Sequence, residues 1–312
     1  MKYRIAAIIP CLNEEASIAV TIQAIKVELP ECRIIVVDNG SSDNTIQKAL
    51  NAGAEVLCEP QKGKGFAVRR GFDQLHEDLD AIFIVDGDST YEVAPIHIGI
   101  SKIVDEGFDM VIGKRIIVQD PQTKKGREYR LGHSTGNQLL SLLFMKLFRI
   151  KLTDTLSGWR LFSPGFIRSF PGGASEFEIE AELNVHAYTL AAAVTEIPVT
   201  YSERVEGSQS KLRTYRDGWK ILRRNYSLYR SERPSVAFNI LALPWIAISA
   251  VLGYRVITEY LSTNLVPKFP SLIASVGAFT IASNLWVTGM ILERVRLQRV
   301  VSTRFEYRRY SN

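Results

Sequence analysis

The stretch Ala81-Ile82-Phe83-Ile84-Val85-Asp86-Gly87-Asp88 decides the fold class. Five apolar residues in a row, several of them β-branched, read as a strand buried on both faces, and a pair of carboxylates separated by glycine follows at once. The same order occurs twice upstream. Arg4–Ile9 runs into Pro10-Cys11-Leu12-Asn13-Glu14-Glu15, and Arg33–Val37 runs into Asp38-Asn39-Gly40-Ser41-Ser42-Asp43. Glu55–Cys58 and Met110–Ile112 read as two more strands. Helical patterns fall between them near Ser17–Glu28, Asn44–Ala52, Gly65–His76 and Val93–Glu106. Strand–helix alternation at this spacing predicts an α/β fold with a mostly parallel sheet and helices on both faces.

Ligands of such sheets bind beyond the carboxyl ends of the strands, so the residues just after each strand carry the chemistry. Three of these ends bear carboxylates, which repel one another unless a cation or a donor-rich ligand lies among them. Asp86 and Asp88, one residue apart, are suited to a hard divalent ion that also binds phosphate. The phosphate loop of ATPases is absent, and Gly63-Lys64-Gly65 lacks the third glycine of a dinucleotide fingerprint. That loop opens a helix, so its amides and Lys64 have either a diphosphate to meet or only a turn to make.

Charge is divided unevenly along the 312 residues. The net +5 and pI near 9.0 combine 21 Lys+Arg against 27 Asp+Glu in residues 1–203 with 17 against 6 in residues 204–312. An acidic body with a basic last third does not describe a nucleic-acid surface. That last third also holds two uncharged apolar runs, Val236–Tyr254 and Phe269–Leu292. The shorter spans about 28 Å as a helix, close to the hydrocarbon thickness of a bilayer. Arginine-rich flanks at 204–233 and 293–312, against a nearly neutral loop at 258–268, predict both flanks on the cytoplasmic side. Leu212, Tyr215, Trp219 and Leu222 interleave with Lys211, Arg216, Lys220, Arg223 and Arg224 as in helices lying on an anionic leaflet. The organisation expected is therefore a cytoplasmic domain at 1–203, which the resemblance described below implies is catalytic, basic juxtamembrane helices at 204–233, a transmembrane hairpin at 234–292 and a basic tail at 293–312. That domain and both termini are expected in the cytoplasm. The N-terminal apolar run is too short and wrongly flanked for a signal peptide. Three cysteines without metal spacing fit a reduced compartment, and four scattered histidines suggest no metal site.

Pro10–Glu14, Asp38 with its Asn-Gly-Ser-Ser, Gly63-Lys64-Gly65 and Asp86-Gly87-Asp88 together resemble the family 2 glycosyltransferases of the GT-A (Rossmann-like) fold. Thr153-Asp154-Thr155-Leu156-Ser157-Gly158-Trp159-Arg160 and Gly207-Ser208-Gln209-Ser210-Lys211 are similar to segments of dolichol-phosphate mannose synthases. The two C-terminal spans resemble bacterial polyprenyl-phosphate glucosyltransferases. The resemblance implies a nucleotide-diphospho-sugar donor of the UDP-glucose or GDP-mannose type and a polyprenyl-phosphate acceptor at a lipid bilayer. It implies that Pro10, Asn13, Glu14, Asp38, Lys64, Asp86 and Glu182 serve the nucleotide sugar, with Glu180 competing with Glu182. Asp86 and Asp88 would hold Mg²⁺ or Mn²⁺, with Thr90 where the mannose synthases often carry Gln. Arg115, Arg130, Ser134, Lys211 and Arg213 would hold the acceptor phosphate.

A phosphate nucleophile is already anionic near pH 7 and needs no strong base. The expected reaction is a metal-assisted displacement with inversion, with arginines bringing the second anion close. Asp154 is the candidate base or orienting group, or else a partner of Arg160, and Arg160 and Asp88 complete the catalytic set. The competing readings are the same fold acting on another lipid or saccharide acceptor, and a catalytically silent sugar-nucleotide-binding membrane protein. A homo-oligomer is compatible with all of them.

Overall fold

The computed structural model describes residues 3–76, 78–117, 152–172, 179–202, 204 and 230–311. In chain order these form β1 (Ile5–Cys11), α1 (Ile18–Glu28), β2 (Arg33–Asp38), α2 (Thr45–Asn51), β3 (Glu55–Cys58), α3 (Lys64–Phe72), β4 (Ala81–Ile84) and α4 (Ile96–Val104). There follow β5 (Met110–Ile117), β6 (Arg160–Phe162), α5 (Pro164–Arg168), α6 (Ile179–Leu190), β7 (Val194–Tyr201), α7 (Pro234–Thr263) and α8 (Phe269–Ser311).

The seven strands make one sheet in the order β3-β2-β1-β4-β6-β5-β7. β3, β2, β1 and β4 run parallel, as do β5 and β7, while β6 lies antiparallel between β4 and β5. β1 is buried along its whole length because both faces of the sheet are covered. Its alternate residues divide between two cores. Ile9 joins Ile22, Val36, Phe83, Ile100 and Trp159 on one side, and Ile8 joins Val37, Val68, Phe162, Phe166 and Leu183 on the other.

The five predicted strands are present, with β5 running five residues past Ile112. β6 and β7 escape the apolar-run criterion. β6 is three residues long and begins with an arginine, and β7 carries Glu196 and Pro198. Proline cannot donate to a ladder, and β7 is accordingly an edge strand.

Behind the sheet, His186 of α6 sits edge-on to Phe166 and Phe170. Its Nε2 lies 3.2 Å from the Phe166 carbonyl and 3.1 Å from Ser169 Oγ. Burial pulls its pKa down to about 4, against 6.5 in the free side chain. The unfolded chain therefore takes up the proton first as pH falls. The stability held above pH 6.5 drains away toward pH 4, amounting to about 3 kcal/mol. Denaturation midpoints measured across that range should fall steeply in the wild type and less steeply in His186→Gln. Equal slopes would refute the assignment.

The chain divides into two compact units, Met1–Asn225 with Thr303–Asn312, and Tyr226–Ser302. In the first, the Tyr307 hydroxyl donates to Asp109 Oδ1 and its ring packs against the second core. Asp109 also accepts from Ser163 Oγ at 3.2 Å and from the Ala193 amide at 2.9 Å.

The second unit contains α7 and most of α8, and both helices are long and apolar enough to cross a membrane. Their most apolar stretches are only 11% and 22% buried, unlike core helices of a soluble protein. Ser249 and Ser275 each donate to the other's carbonyl at 2.9 Å, a reciprocal pairing of the kind that joins helices in hydrocarbon. Glu232 is buried against Arg296 at 3.0 Å and Arg299 at 2.7 Å. The apolar run 139–148 and the basic segment 205–229 lie outside the described residues.

Candidate active site

The ends of β1, β2 and β4 meet through side chains that tie one loop to the next. Asn13 has a positive φ of 50° and its Oδ1 accepts from the Ser42 amide at 2.7 Å, while its own amide donates to Ser41 Oγ at 2.8 Å. The Glu14 amide donates to Thr45 Oγ1 at 2.8 Å. Pro10 lies inside β1, in register with Val37, so it shapes the strand end. Asp38 Oδ2 accepts from the Gly40 and Ser41 amides, both at 3.1 Å, and its Oδ1 is buried with no hydrogen bond among the described residues. A buried carboxylate oxygen without a partner is a standing demand for a donor.

Gly87 cannot be larger, because a Cβ there meets Cys11 Sγ and Ile9. Its carbonyl accepts from Ser17 Oγ at 2.9 Å. The flanking carboxylates are thereby fixed. Asp88 Oδ1 accepts from Thr90 Oγ1 at 2.6 Å and its Oδ2 lies 2.7 Å from Arg204 Nη2. Burial, and then the charge of Asp86, push the Asp88 carboxyl above its ordinary pKa, with Arg204 and Thr90 pulling it back. Thr90 thus holds Asp88 in place.

Lys64, the first residue of α3, places its ammonium 2.7 Å from Asp86 Oδ1 and 2.6 Å from Glu180 Oε1. Burial alone would pull its pKa down, but the two carboxylates outweigh it and keep the charge above its ordinary range. Asn39 sets the loop before it, donating to the Glu59 and Gln61 carbonyls at 3.2 and 2.7 Å and accepting from the Gly63 amide. Of the two acids on α6, Glu180 reaches the cluster. Glu182 is buried two residues on, where 3.6 residues per turn direct it to a different side of the helix.

Asp154 makes a two-pronged ion pair with Arg115, whose Nε and Nη2 donate at 2.7 and 2.6 Å. Arg115 also lies over the Tyr201 ring, 5.6 Å from its centroid. Burial would lower the pKa of Arg115, but Tyr91 and Asp154 outweigh it, and the group stays charged.

The expected catalytic role of Arg160 is corrected by the structure. Its side chain is 1% exposed, and its donors go to the Ser157 and Thr155 carbonyls at 2.9 and 2.8 Å and to Asn184 Oδ1 at 2.7 Å. It clips the 155–157 turn to α6. Arg130, Ser134, Lys211 and Arg213 lie outside the described residues. Arg204 is a site residue that the sequence did not single out for a role, and of the competing pair Glu180 and Glu182 it is Glu180 that meets Lys64.

Gly158 packs against Asp86, and its amide donates to Tyr91 Oη at 2.9 Å. A Cβ at Gly158 would land on the Asp86 carboxylate. Gly158→Ala is expected to displace that group and lower transfer by roughly 10²-fold. Initial rates of variant and wild type, compared side by side, check this, and equal rates would refute it.

Asp86 and Asp88 offer only oxygen donors and already attract two side-chain cations, which suits a hard ion such as Mg²⁺ or Mn²⁺. The described residues hold no cluster of three or more His, Cys, Asp or Glu sized for a metal.

Comparison with known proteins gives a consistent picture. Glycosyltransferase AglJ of Haloferax volcanii is 29% identical over 271 residues, covering 86% of this chain and 86% of that protein. The low-salt glycan biosynthesis hexosyltransferase Agl6 of the same organism is 28% identical over 222 residues, covering 70% of this chain and 52% of that protein. Glucosyl-3-phosphoglycerate synthase of Mycobacterium tuberculosis, solved with Mn²⁺ and UDP-glucose, aligns with a TM-score of 0.54 at 22% identity, covering 73% of this chain and 79% of that one. The fold is thus GT-A-like. Residues 6–169 match the family described as Glycosyl transferase family 2, and the chain belongs to that family.

Proposed function

We propose that the protein transfers a hexose, with inversion, from a nucleotide-diphospho-sugar to polyprenyl phosphate at the cytoplasmic face of a membrane. One observation carries this reading: Asp86 and Asp88, after β4, together with Glu14 and Glu180, gather around two side-chain cations, Lys64 and Arg204. Such a site accepts a diphosphate together with a cation and has no use for a neutral ligand. The neighbouring synthase solved with Mn²⁺ and UDP-glucose supports a donor of that type.

In this reading Asp38, whose Oδ1 has no hydrogen bond among the described residues, takes one from the nucleoside, and Asn13 and Glu14 shape the pocket wall. Asp86 and Asp88 hold a divalent ion, which when bound neutralises charge on the departing diphosphate. Lys64 and Arg204 supply further positive charge to that group. Asp154 orients Arg115, whose planar guanidinium meets the acceptor phosphate. Such an acceptor is already anionic, so no residue need remove a proton from it.

The membrane assignment rests on the two apolar helices and on the basic sequence flanking them. Large apolar side chains such as Leu243, Ile257, Phe279 and Trp286 are more than half exposed on them, which suits lipid and is costly in water. Residues 1–203 then form the cytoplasmic catalytic domain and 234–292 the hairpin.

The test is to incubate membranes containing the protein with polyprenyl phosphate and a panel of labelled nucleotide sugars. One donor should yield a sugar–phosphate–lipid of inverted anomeric configuration. Transfer to a soluble saccharide instead, or no transfer from any donor, would overturn the assignment.

A further inference from the structure

Arg204 stands three residues beyond β7, and its guanidinium lies 2.7 Å from Asp88 Oδ2 and 3.9 Å from Glu14 Oε1. Asp88 is 4% exposed and Glu14 7%, whereas the Arg204 side chain is 30% exposed. The arginine therefore reaches from a partly open position onto two buried carboxylates. The second Asp88 oxygen is engaged by Thr90 through both its hydroxyl and its amide. Both oxygens of the carboxylate are thus bonded within the protein. Asp86 is in turn taken up by Lys64, which has a second buried anchor in Glu180. Among these contacts, the one with an exposed route of retreat is that of Arg204.

We propose that Arg204 is the resident counter-ion of the metal carboxylates and competes with the divalent cation for Asp88. Two positive charges sharing one carboxylate oxygen repel each other strongly at a buried site, so entry of the ion displaces the guanidinium. The released guanidinium, still tethered beside the site, is then available to an anionic ligand. Loading of the metal and freeing of Arg204 become one linked event, and by reciprocity whatever engages Arg204 elsewhere tightens metal binding. This inference rests on the reading of Asp86 and Asp88 as metal ligands.

The experiment measures binding of Mn²⁺ alone to the full-length, detergent-solubilised protein, without nucleotide, from the spectrum of free Mn²⁺. Arg204→Gln should bind Mn²⁺ about 5-fold or more tightly than the wild type, and Arg204→Lys should fall between them. Asp88→Asn should lose the binding. In the wild type, Mn²⁺ should also accelerate trypsin cleavage after Arg204, a readout that needs no folded variant. Equal or weaker Mn²⁺ binding by Arg204→Gln, or cleavage unchanged by Mn²⁺, would overturn the competition while leaving the metal site standing. Binding unaffected by Asp88→Asn would overturn the metal assignment and the inference with it.

Discussion

With asparagine in place of Asp88, sugar transfer falls by roughly 10²- to 10³-fold while the protein keeps its fold. Asparagine preserves the shape of the side chain and one oxygen for the Thr90 hydroxyl, so the turn after β4 is retained. What is lost is the negative charge that a divalent ion and Arg204 both seek. Because burial and Asp86 already disfavour ionised Asp88, neutralising it relieves repulsion, and thermal stability should hold or rise. Transfer rate and melting temperature, measured on one preparation, separate the two effects. An unchanged rate would refute the role of Asp88, and a collapsed melting temperature would show that its charge serves the fold instead.

The second large effect concerns stability. Replacing Arg160 by leucine should cost about 3–5 kcal/mol, enough to unfold much of the catalytic unit. The guanidinium is buried among Ser157 O, Thr155 O and Asn184 Oδ1, and leucine leaves all three without that donor in a dry interior. Lysine does not rescue it, because one ammonium cannot reach three acceptors arranged for a planar fork. Urea denaturation followed by near-ultraviolet absorption of the adjacent Trp159 reads the loss. A midpoint within error of the wild type would show that the clip is dispensable.

Arg160 also shows where the sequence misleads. An arginine beside an Asp-bearing turn has the composition of a catalytic group, and only burial reveals it as a buried fastening. The carboxylates at the strand ends were legible for the opposite reason. Strands buried on both faces are written as uninterrupted apolar runs, so the first charge after each run marks the binding edge. Arg204 escapes that rule: it follows β7 only after Ser202 and Glu203, and Glu196 and Pro198 obscure the strand that would have pointed to it. It was also one of nine basic residues between 204 and 233. Glu180 and Glu182 are two residues apart on one helix, and which of them faces the site depends on helix rotation, which a short acidic motif does not encode.

The bond between Tyr307 and Asp109 joins residues 198 positions apart. At a synthesis rate of about 5–20 residues per second, the partner of Asp109 emerges roughly 10–40 s after Asp109 itself. Both apolar helices must be made in the interval. The catalytic unit therefore cannot complete this wall until Tyr307 has been made, and in the interval the buried Asp109 carboxylate has Ser163 and the Ala193 amide as its companions. Ordering of the last turns of α8 closes that corner, so final maturation of the catalytic unit waits on the completion of its two long apolar helices.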